Sequence, residues 1–231
     1  MSRAELLAWL KRRLTPGEYF GLELTLGAAV LMVAAWAFGG LAEDVHTGDP
    51  ITQTDARIAQ WFHAHSTVGT QRLMAGVSWF HTGPIAVLAG GFLAYLLCRR
   101  QWMWALFGST AVLGGMLLNT LLKLAFHRER PTFSGLSAAL HTFSFPSGHT
   151  MAATLLYGVL AAYAIARLRS ARARLAVVLG AVLMVALVGF SRIYLGVHYL
   201  SDVLAAAAEG IAWLALCYTA VHTLMLRRTS L

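Results

Sequence analysis

Long apolar stretches alternate with short polar ones along the chain. Runs of about 18 or more apolar residues are typical of membrane-spanning helices, and the pattern predicts six of them. The predicted spans are residues 22–41, 74–98, 102–126, 147–166, 175–190 and 200–226. Because the first run exceeds the roughly 7–15 apolar residues of a signal peptide, we interpret it as an uncleaved span. The sequence therefore predicts an all-α integral membrane bundle, folded as a single domain over residues 1–231.

Two polar regions carry shorter amphipathic patterns. In residues 1–20, leucines at helical spacing lie beside a Lys-Arg-Arg run, which predicts a short cytoplasmic surface helix, with a frayed tail as the alternative. Residues 42–71 form a predicted outer loop in which four large apolar residues share one helical face, indicating an interfacial helix. These four residues are Ile51, Ile58, Trp61 and Phe62. Gly83-Pro84 is expected to kink or interrupt the second span.

The distribution of charge predicts the topology. Only 12% of the residues are charged, whereas an ordinary soluble domain has about 25%. The net charge of +8 is better explained by basic cytoplasmic loops than by a nucleic-acid partner, because positive residues collect on the inner side of membrane proteins. Six spans place both termini on one side, and 12 of the 18 Lys and Arg residues fall in the segments on that side. Both termini are therefore predicted to be cytoplasmic.

Three polar motifs interrupt the apolar pattern between residues 123 and 202. They are Lys123-x6-Arg130-Pro131, Pro146-Ser147-Gly148-His149 and Ser191-Arg192-x5-His198-x3-Asp202. On the predicted topology each motif lies at the outer end of a span. The three motifs are therefore expected to converge on one membrane face.

The cations and the helix start in these motifs suit a phosphoryl group. Lys123, Arg130 and Arg192 can surround its oxygens, since Arg offers a planar fork and Lys a compact charge. The alternative for one isolated cation is a side chain that reaches from the membrane to the interface. Ser147 and Gly148 begin a predicted helix, where unpaired backbone N–H groups favour an anion.

The two histidines suit transfer of that group. His198 and Asp202 share a helical face, and a carboxylate that accepts from Nδ1–H leaves Nε2 bare as a nucleophile. His149 is predicted to protonate the leaving oxygen and later to deprotonate water. A structural His–Asp pair and a metal site are the alternatives. No further carboxylate or cysteine cluster completes a metal site, so neither a metal nor another cofactor is expected.

Together the three motifs resemble the signature of the type 2 phosphatidic acid phosphatase superfamily, which includes membrane lipid phosphatases and soluble vanadium haloperoxidases. The motifs cover residues 123–202, and the six-span layout extends the likeness over nearly the whole chain. The resemblance implies an α-helical bundle, metal-independent activity, Ser147 and His149 at the phosphate, and His198 as the nucleophile. The layout is similar to bacterial phosphatidylglycerophosphate and undecaprenyl pyrophosphate phosphatases. One departure is Ala206, where members often carry glycine.

These observations predict a lipid phosphatase of the bacterial cytoplasmic membrane, with its active site facing the periplasm or exterior. The expected partners are a lipid phosphate substrate and membrane lipids. A sequence rich in alanine and arginine is typical of a bacterium, where undecaprenyl pyrophosphate is the commonest outer-leaflet substrate for a lipid phosphatase. Undecaprenyl pyrophosphate is therefore the first candidate substrate, with phosphatidylglycerophosphate and phosphatidic acid as alternatives. A vanadium haloperoxidase is expected to be a soluble helical protein, which conflicts with the predicted membrane spans. A lipid-binding or flipping protein would not need the two histidines.

Other ionisable residues lie outside the motifs. Glu209 falls inside the sixth predicted span, where such residues are costly and often functional. It is interpreted as a structural partner, a wall of the lipid cleft or part of a proton path. His81, His127 and His141 match no motif and are interpreted as loop or interface residues.

Overall fold

The computed structural model describes Glu5 and residues 21–81, 83–132 and 142–229, and these form helices and connecting segments without a β-strand. In chain order the helices are α1 (Leu22–Thr47), α2 (Pro50–His65), α3 (Val68–Phe80), α4 (Gly83–Cys98), α5 (Trp102–Ser109), α6 (Gly115–Phe126), α7 (Gly148–Ile165), α8 (Ala171–Tyr194) and α9 (Leu200–Thr229). A π-helical turn, Thr110–Gly114, joins α5 to α6. The all-α prediction is confirmed. Apart from Glu5, the helix predicted in residues 1–20 lies outside the described residues.

Five helices are long and apolar enough to cross a membrane. They are Leu24–Thr47, Trp102–Phe126, Gly148–Ile165, Ala171–Tyr194 and Leu200–Arg227. Ala86–Cys98 in α4 is a shorter apolar helix and corresponds to the remaining predicted span. Large apolar side chains such as Trp36 and Leu183 are exposed on the outside of the bundle, as expected where lipid is the solvent. The chain is a multi-pass membrane protein.

The second predicted span is divided between α3 and α4. α3 ends at Phe80, and α4 begins at Gly83-Pro84. A proline lacks the backbone N–H and clashes with the preceding helical turn, so it is accommodated in the first turn of a new helix. The interruption predicted from Gly83-Pro84 is therefore confirmed.

The amphipathic helix predicted within residues 42–71 is α2, and it packs on the end of the bundle. α1 ends where Gly48 adopts a φ of 79°, a left-handed conformation that glycine accepts without strain. The ring of Phe62 lies against Phe190 and Tyr194 of α8, at centroid distances of 5.6 and 5.1 Å. α2 also contacts α1 and α9. It therefore forms part of the protein core at this end as well as part of its surface.

Helix α9 is the central element of the bundle, in contact with α1, α2, α5, α6, α7 and α8. Its approach to α7 is close because a Cβ at Gly210 would lie only 2.7 Å from Thr154 Cγ2, as is common where membrane helices pack through small residues. Ala206 is fully buried against Met151 and Leu155. The methyl group of Ala206, which stands where glycine is common in the resembled family, thus fills the contact between α7 and α9.

The π-helical turn in the third span is supported by α9. A π turn interrupts the regular helical hydrogen bonds, and its carbonyl groups need other donors inside a membrane. Trp213 Nε1 donates to the carbonyl oxygens of Thr110 and Ala111, at 3.2 and 3.1 Å. This contact fixes the third predicted span, residues 102–126, against α9, the helix that carries Asp202.

Candidate active site

Residues of the three polar motifs meet at one end of the bundle. Arg130 follows α6, residues 142–147 lead into α7, and His198 lies in the short connection between α8 and α9. Gly196 in that connection has a φ of 64°, a conformation that favours glycine and lets the chain reverse abruptly. Helix ends that are distant in sequence therefore surround one histidine.

The hydrogen bonds of His198 define its tautomer. Its Nε2 lies 3.1 Å from Nη1 of Arg130, and because a guanidinium can only donate, Nε2 must be the acceptor. The proton is therefore on Nδ1, which lies 3.3 Å from Oδ2 of Asp202 and donates to it. Burial, with Arg130 and Arg192 nearby, lowers the pKa of His198 to about 4, although Asp202 opposes the shift. At neutral pH the ring is neutral and its bare nitrogen faces the cations.

Asp202 has more partners than the motif spacing indicates. The residue is completely buried, and its Oδ2 accepts from the Tyr199 N–H at 2.9 Å and from the Ser144 hydroxyl. Its Oδ1 accepts from Arg128 Nη1 at 2.6 Å. Since both oxygens are bonded, the carboxylate is fixed in the plane that directs Oδ2 towards His198.

Arg128 and Asp55 form an ionic group behind Asp202, and sequence reasoning assigned a role to neither. Arg128 Nη2 donates to Asp55 Oδ2 at 2.8 Å while its Nη1 contacts Asp202. Asp55 also accepts from the Ser201 amide at 3.0 Å and from the Ser201 hydroxyl. Burial alone would lower the pKa of Arg128, but Asp202 and Asp55 together raise it above its ordinary value. Arg128 is therefore a fixed cation between two carboxylates.

A sequence signal for Asp55 was present in α2. Ile51, Asp55, Ile58 and Phe62 follow one another at spacings of four, three and four residues. These spacings place all four on one helical face. A carboxylate in the middle of an apolar stripe is unusual unless it has a buried partner. The pattern indicated that Asp55 would face inward.

Lys123 and Arg130 converge on the segment before α7. Lys123 Nζ donates to the carbonyl of Phe143 at 2.7 Å, and Arg130 Nη2 donates to the same carbonyl at 3.2 Å. Arg130 also donates to the carbonyls of Thr142 and Val197, at 2.8 and 2.7 Å. Burial lowers the pKa of Arg130, and Asp202 offsets this only in part. Both cations thus have neutral acceptors, which a more strongly accepting anion can replace.

Arg192 and His149 complete the set of charged and titratable groups. Arg192 is buried, with its Nη1 donating to the Ser78 hydroxyl of α3, and its Nε has no acceptor among the described residues. His149, in the first turn of α7, lies close enough to Arg192 and Arg130 for their charges to act on its ring. The three cations and His149 therefore come from α6, the segment after it, α7 and α8.

The start of α7 differs in one respect from the prediction. Ser147 is the N-cap, and its oxygen accepts from Thr150 Oγ1 at 3.0 Å. The Ser147 amide, however, donates to the backbone carbonyl of Asp202 at 3.0 Å, so this amide is already paired. A Cβ at Gly148 would lie 3.4 Å from Asn119 Oδ1 of α6, which is an ordinary van der Waals contact, so α7 begins close beside α6. The Gly148 amide and the Ser147 hydroxyl proton have no acceptor among the described residues, so both can donate to an anion at this helix start.

A scan of protein families assigns residues 102–226, more than half of the chain, to the PAP2 superfamily. The chain belongs to the PAP2 superfamily. This confirms the resemblance inferred from the three motifs, all of which lie within the matched region.

Two curated relatives of the PAP2 chain are bacterial lipid phosphatases by name. Phosphatidylglycerophosphatase B of Bacillus subtilis is 36% identical over 144 residues, which are 59% of this chain and 65% of the relative.

The second curated relative is lipid A 1-phosphatase of Rhizobium etli, 35% identical over 131 residues, which cover 53% of this chain and 51% of the relative. The matches thus span between half and two thirds of the curated relatives' lengths. A PAP2-type phosphatidylglycerolphosphate phosphatase from Bacillus subtilis has a similar crystal structure, with a TM-score of 0.70, 29% identity and coverage of 81% of this chain and 94% of that one. LpxE of Aquifex aeolicus shares the fold at a TM-score of 0.56 and 22% identity, over 71% of this chain and 94% of that one.

Further polar residues of this PAP2 chain lie outside the motifs. His81, in the connection between α3 and α4, is buried, and its Nε2 pairs with the Tyr157 hydroxyl at 2.8 Å. His127 is exposed at the end of α6, and His141 lies outside the described residues. Glu209 is buried in α9 and accepts from Asn119 Nδ2 at 3.0 Å. That bond between α6 and α9 supports the interpretation of Glu209 as a structural partner.

Proposed function

We propose that this PAP2 protein is a lipid phosphatase that works through a phosphohistidine on His198. One observation carries the proposal: Nε2 of the buried His198 is bare and faces Arg130, while Nδ1–H is directed to Asp202. A purely structural histidine needs no unprotonated nitrogen among cations. A nucleophile for phosphorus needs such a nitrogen beside groups that hold the phosphoryl oxygens.

In the first step Nε2 attacks phosphorus in line with the leaving oxygen. The N–P bond forms, the P–O bond to the lipid breaks, and His149 gives its proton to the departing oxygen. Lys123, Arg130 and Arg192 hold the phosphoryl oxygens, with the Ser147 hydroxyl and the Gly148 amide. For Lys123 and Arg130 these oxygens replace the carbonyl of Phe143, their shared acceptor. The positive charge that develops on the His198 ring is stabilised by Asp202.

In the second step His149 takes a proton from water, and the hydroxyl oxygen attacks the phosphohistidine. The P–N bond breaks, inorganic phosphate leaves, and His198 returns to its neutral Nδ1–H form. Positioning and electrostatic stabilisation supply most of the catalysis in phosphoryl transfer. The three cations supply the positive charge in this scheme, so we propose that no metal ion is required.

The substrate carries a terminal phosphate on an apolar anchor, because the proposed site lies at the ends of membrane-spanning helices. The names of the relatives favour phosphatidylglycerophosphate. Undecaprenyl pyrophosphate, the first candidate from the sequence, and phosphatidic acid offer the same terminal group. We place the protein in the bacterial cytoplasmic membrane, with cytoplasmic termini and the site facing the periplasm or exterior, on the charge asymmetry of the loops.

Phosphate release by the purified protein tests this function. Phosphatidylglycerophosphate, undecaprenyl pyrophosphate and phosphatidic acid are compared at equal surface density in detergent micelles, with and without EDTA. We expect release from at least one lipid, unchanged by EDTA and abolished in His198→Ala. Lipid binding without release would instead support a lipid-binding or flipping protein. Activity lost with EDTA and restored by Mg²⁺ would contradict the role given to the three cations.

A further inference from the structure

Asp55 is a buried charge that the proposed mechanism does not use. It lies on α2, remote in sequence from the three motifs, yet its exposed fraction is only 1%. Its Oδ2 accepts from Arg128 Nη2 at 2.8 Å and from the Ser201 hydroxyl, and its Oδ1 accepts from the Ser201 amide at 3.0 Å. Burying a carboxylate is expensive even when it is paired. A buried carboxylate of α2 that is held against the start of α9 calls for a reason beyond packing.

The reason follows from the charges around Asp202. Arg128 Nη1 lies 2.6 Å from Asp202 Oδ1, so Arg128 alone would cancel most of the negative charge that Asp202 presents to His198. His198 also faces two further cations, Arg130 and Arg192. A ring that becomes positive on phosphorylation would then be surrounded by positive charge. Asp55, on the other side of Arg128, restores a net charge of −1 to the group formed by Asp55, Arg128 and Asp202.

Asp55 also controls geometry. The fork of Arg128 is divided, with Nη2 on Asp55 and Nη1 on Asp202. Without Asp55 both arms of the fork are free to bind Asp202, since bidentate pairing is the preferred geometry of arginine with a carboxylate. That pairing would engage Oδ2, the oxygen that lies 3.3 Å from His198 Nδ1.

We propose that Asp55 is a positioning residue that acts through Arg128 and Asp202 to keep Asp202 negative and directed towards His198. This inference rests on the proposed function. It places a determinant of the nucleophile in α2, outside the three motifs. Asp55 touches neither the ring nor the phosphoryl group, so its effect is electrostatic and is transmitted by one arginine.

The test is the acidic limb of the pH profile of kcat/KM, where protonation removes the nucleophile. The charged or titratable groups that face His198 are Asp202 of α9, Arg130 after α6, Arg192 of α8 and His149 of α7. All four groups are unchanged in variants of Asp55 and Arg128, and the ionisation of the substrate is common to all variants. A shift of the limb therefore reports the pKa of His198.

Two substitutions shift this limb in opposite directions. Asp55→Asn removes a negative charge that favours the protonated ring, so it lowers the pKa of His198 and moves the limb to lower pH. Arg128→Met removes a positive charge and moves the limb to higher pH. Nearby charges typically shift a pKa by about one unit, which corresponds to a factor of about ten. Phosphoenzyme formation is therefore expected to slow about tenfold in Asp55→Asn, with KM nearly unchanged.

Three further variants separate charge from folding. Asp55→Asn/Arg128→Met restores the net charge of −1, so its limb returns towards that of the wild type. Asp55→Glu keeps the charge and the position of the limb. Ser201→Ala removes the hydroxyl that donates to Asp55 and accepts from Arg128 Nη1, but it changes no charge and leaves the limb in place. Partial misfolding lowers the maximum of the pH profile of kcat/KM but does not move the midpoint of its acidic limb. The midpoint therefore distinguishes an effect of charge on His198 from an effect on folding.

The outcomes also separate this inference from the proposed function. Wild-type protein without phosphatase activity, or His198→Ala with activity, would refute the proposed function. If the wild type is active and His198→Ala is not, while Asp55→Asn has the wild-type midpoint, the inference alone is wrong. Equal shifts in Asp55→Asn and Asp55→Glu, or shifts of the same sign in Asp55→Asn and Arg128→Met, would also overturn it.

Discussion

Arg128 and Arg130 are two residues apart, and their surroundings are opposite. Arg128 lies between the carboxylates of Asp55 and Asp202, which raise its pKa. Arg130 donates mainly to neutral carbonyl groups, and its pKa is lowered because burial outweighs the effect of Asp202. An arginine with ionic partners on both sides is a fixed part of the scaffold. An arginine whose partners are neutral can exchange them for an anion, as a phosphate-binding group must.

The largest effect expected from this comparison concerns folding. Arg128→Met leaves two buried carboxylates without their shared cation, and breaking a buried ion pair typically costs about 3–5 kcal/mol. The free energy of unfolding in detergent should fall by that order. Arg57→Met, on the exposed side of α2, is the matched control and should leave stability unchanged. A variant Arg128→Met as stable as the control would show that the ionic group is not structural.

The next effect concerns turnover. Arg130→Met removes one donor from the proposed transition state, and loss of such a donor typically lowers kcat by about 10²–10³-fold. Because the partners left behind are neutral, the free energy of unfolding should change far less than in Arg128→Met. Steady-state kinetics and thermal unfolding of the same preparations check both parts. Normal turnover in Arg130→Met would refute its assignment to the phosphoryl group.

The smallest effect is expected at Glu209. Its Oε2 accepts from Asn119, and its Oε1 has no partner among the described residues. Glu209→Gln keeps an acceptor for Asn119 and removes the charge, so stability should change by no more than about 1 kcal/mol and turnover should be retained. Glu209→Leu, which leaves the Asn119 amide unpaired, is the comparison variant. Loss of turnover in Glu209→Gln at normal stability would favour the proton-path interpretation instead.

Much of the fold follows from local patterns that can be read directly in the sequence. Apolar runs of sufficient length predicted the spans, and the chemistry of proline predicted the break at Gly83-Pro84. The four-residue spacing predicted that His198 and Asp202 would meet, and the predicted topology brought Arg130 to the same membrane face; both contacts with His198 are present. The motif Lys123-x6-Arg130-Pro131 singled out Arg130, but no local pattern gave Arg128 a role, because that role depends on its tertiary contact with Asp55, 73 residues away.

Other features also depend on contacts between distant segments. The Ser147 amide was predicted to face an anion because it begins a helix, but the carbonyl of Asp202 accepts from it. At the π turn Thr110–Gly114, the indole of Trp213 donates to the carbonyl groups of Thr110 and Ala111. In each case the partner is set by helix packing, which spacing along the chain does not encode.

The central claim, a phosphohistidine on His198, is tested most directly by rapid-quench labelling with a radiolabelled aryl phosphate. An aryl leaving group needs little protonation, so His149→Ala should still form the intermediate but should hydrolyse it slowly, because water lacks its base. General acid–base catalysis is typically worth about 10²–10⁴-fold, so labelled protein should accumulate in His149→Ala and be absent in His198→Ala. Labelled protein in His198→Ala, with none in His149→Ala, would contradict the assignment of the nucleophile.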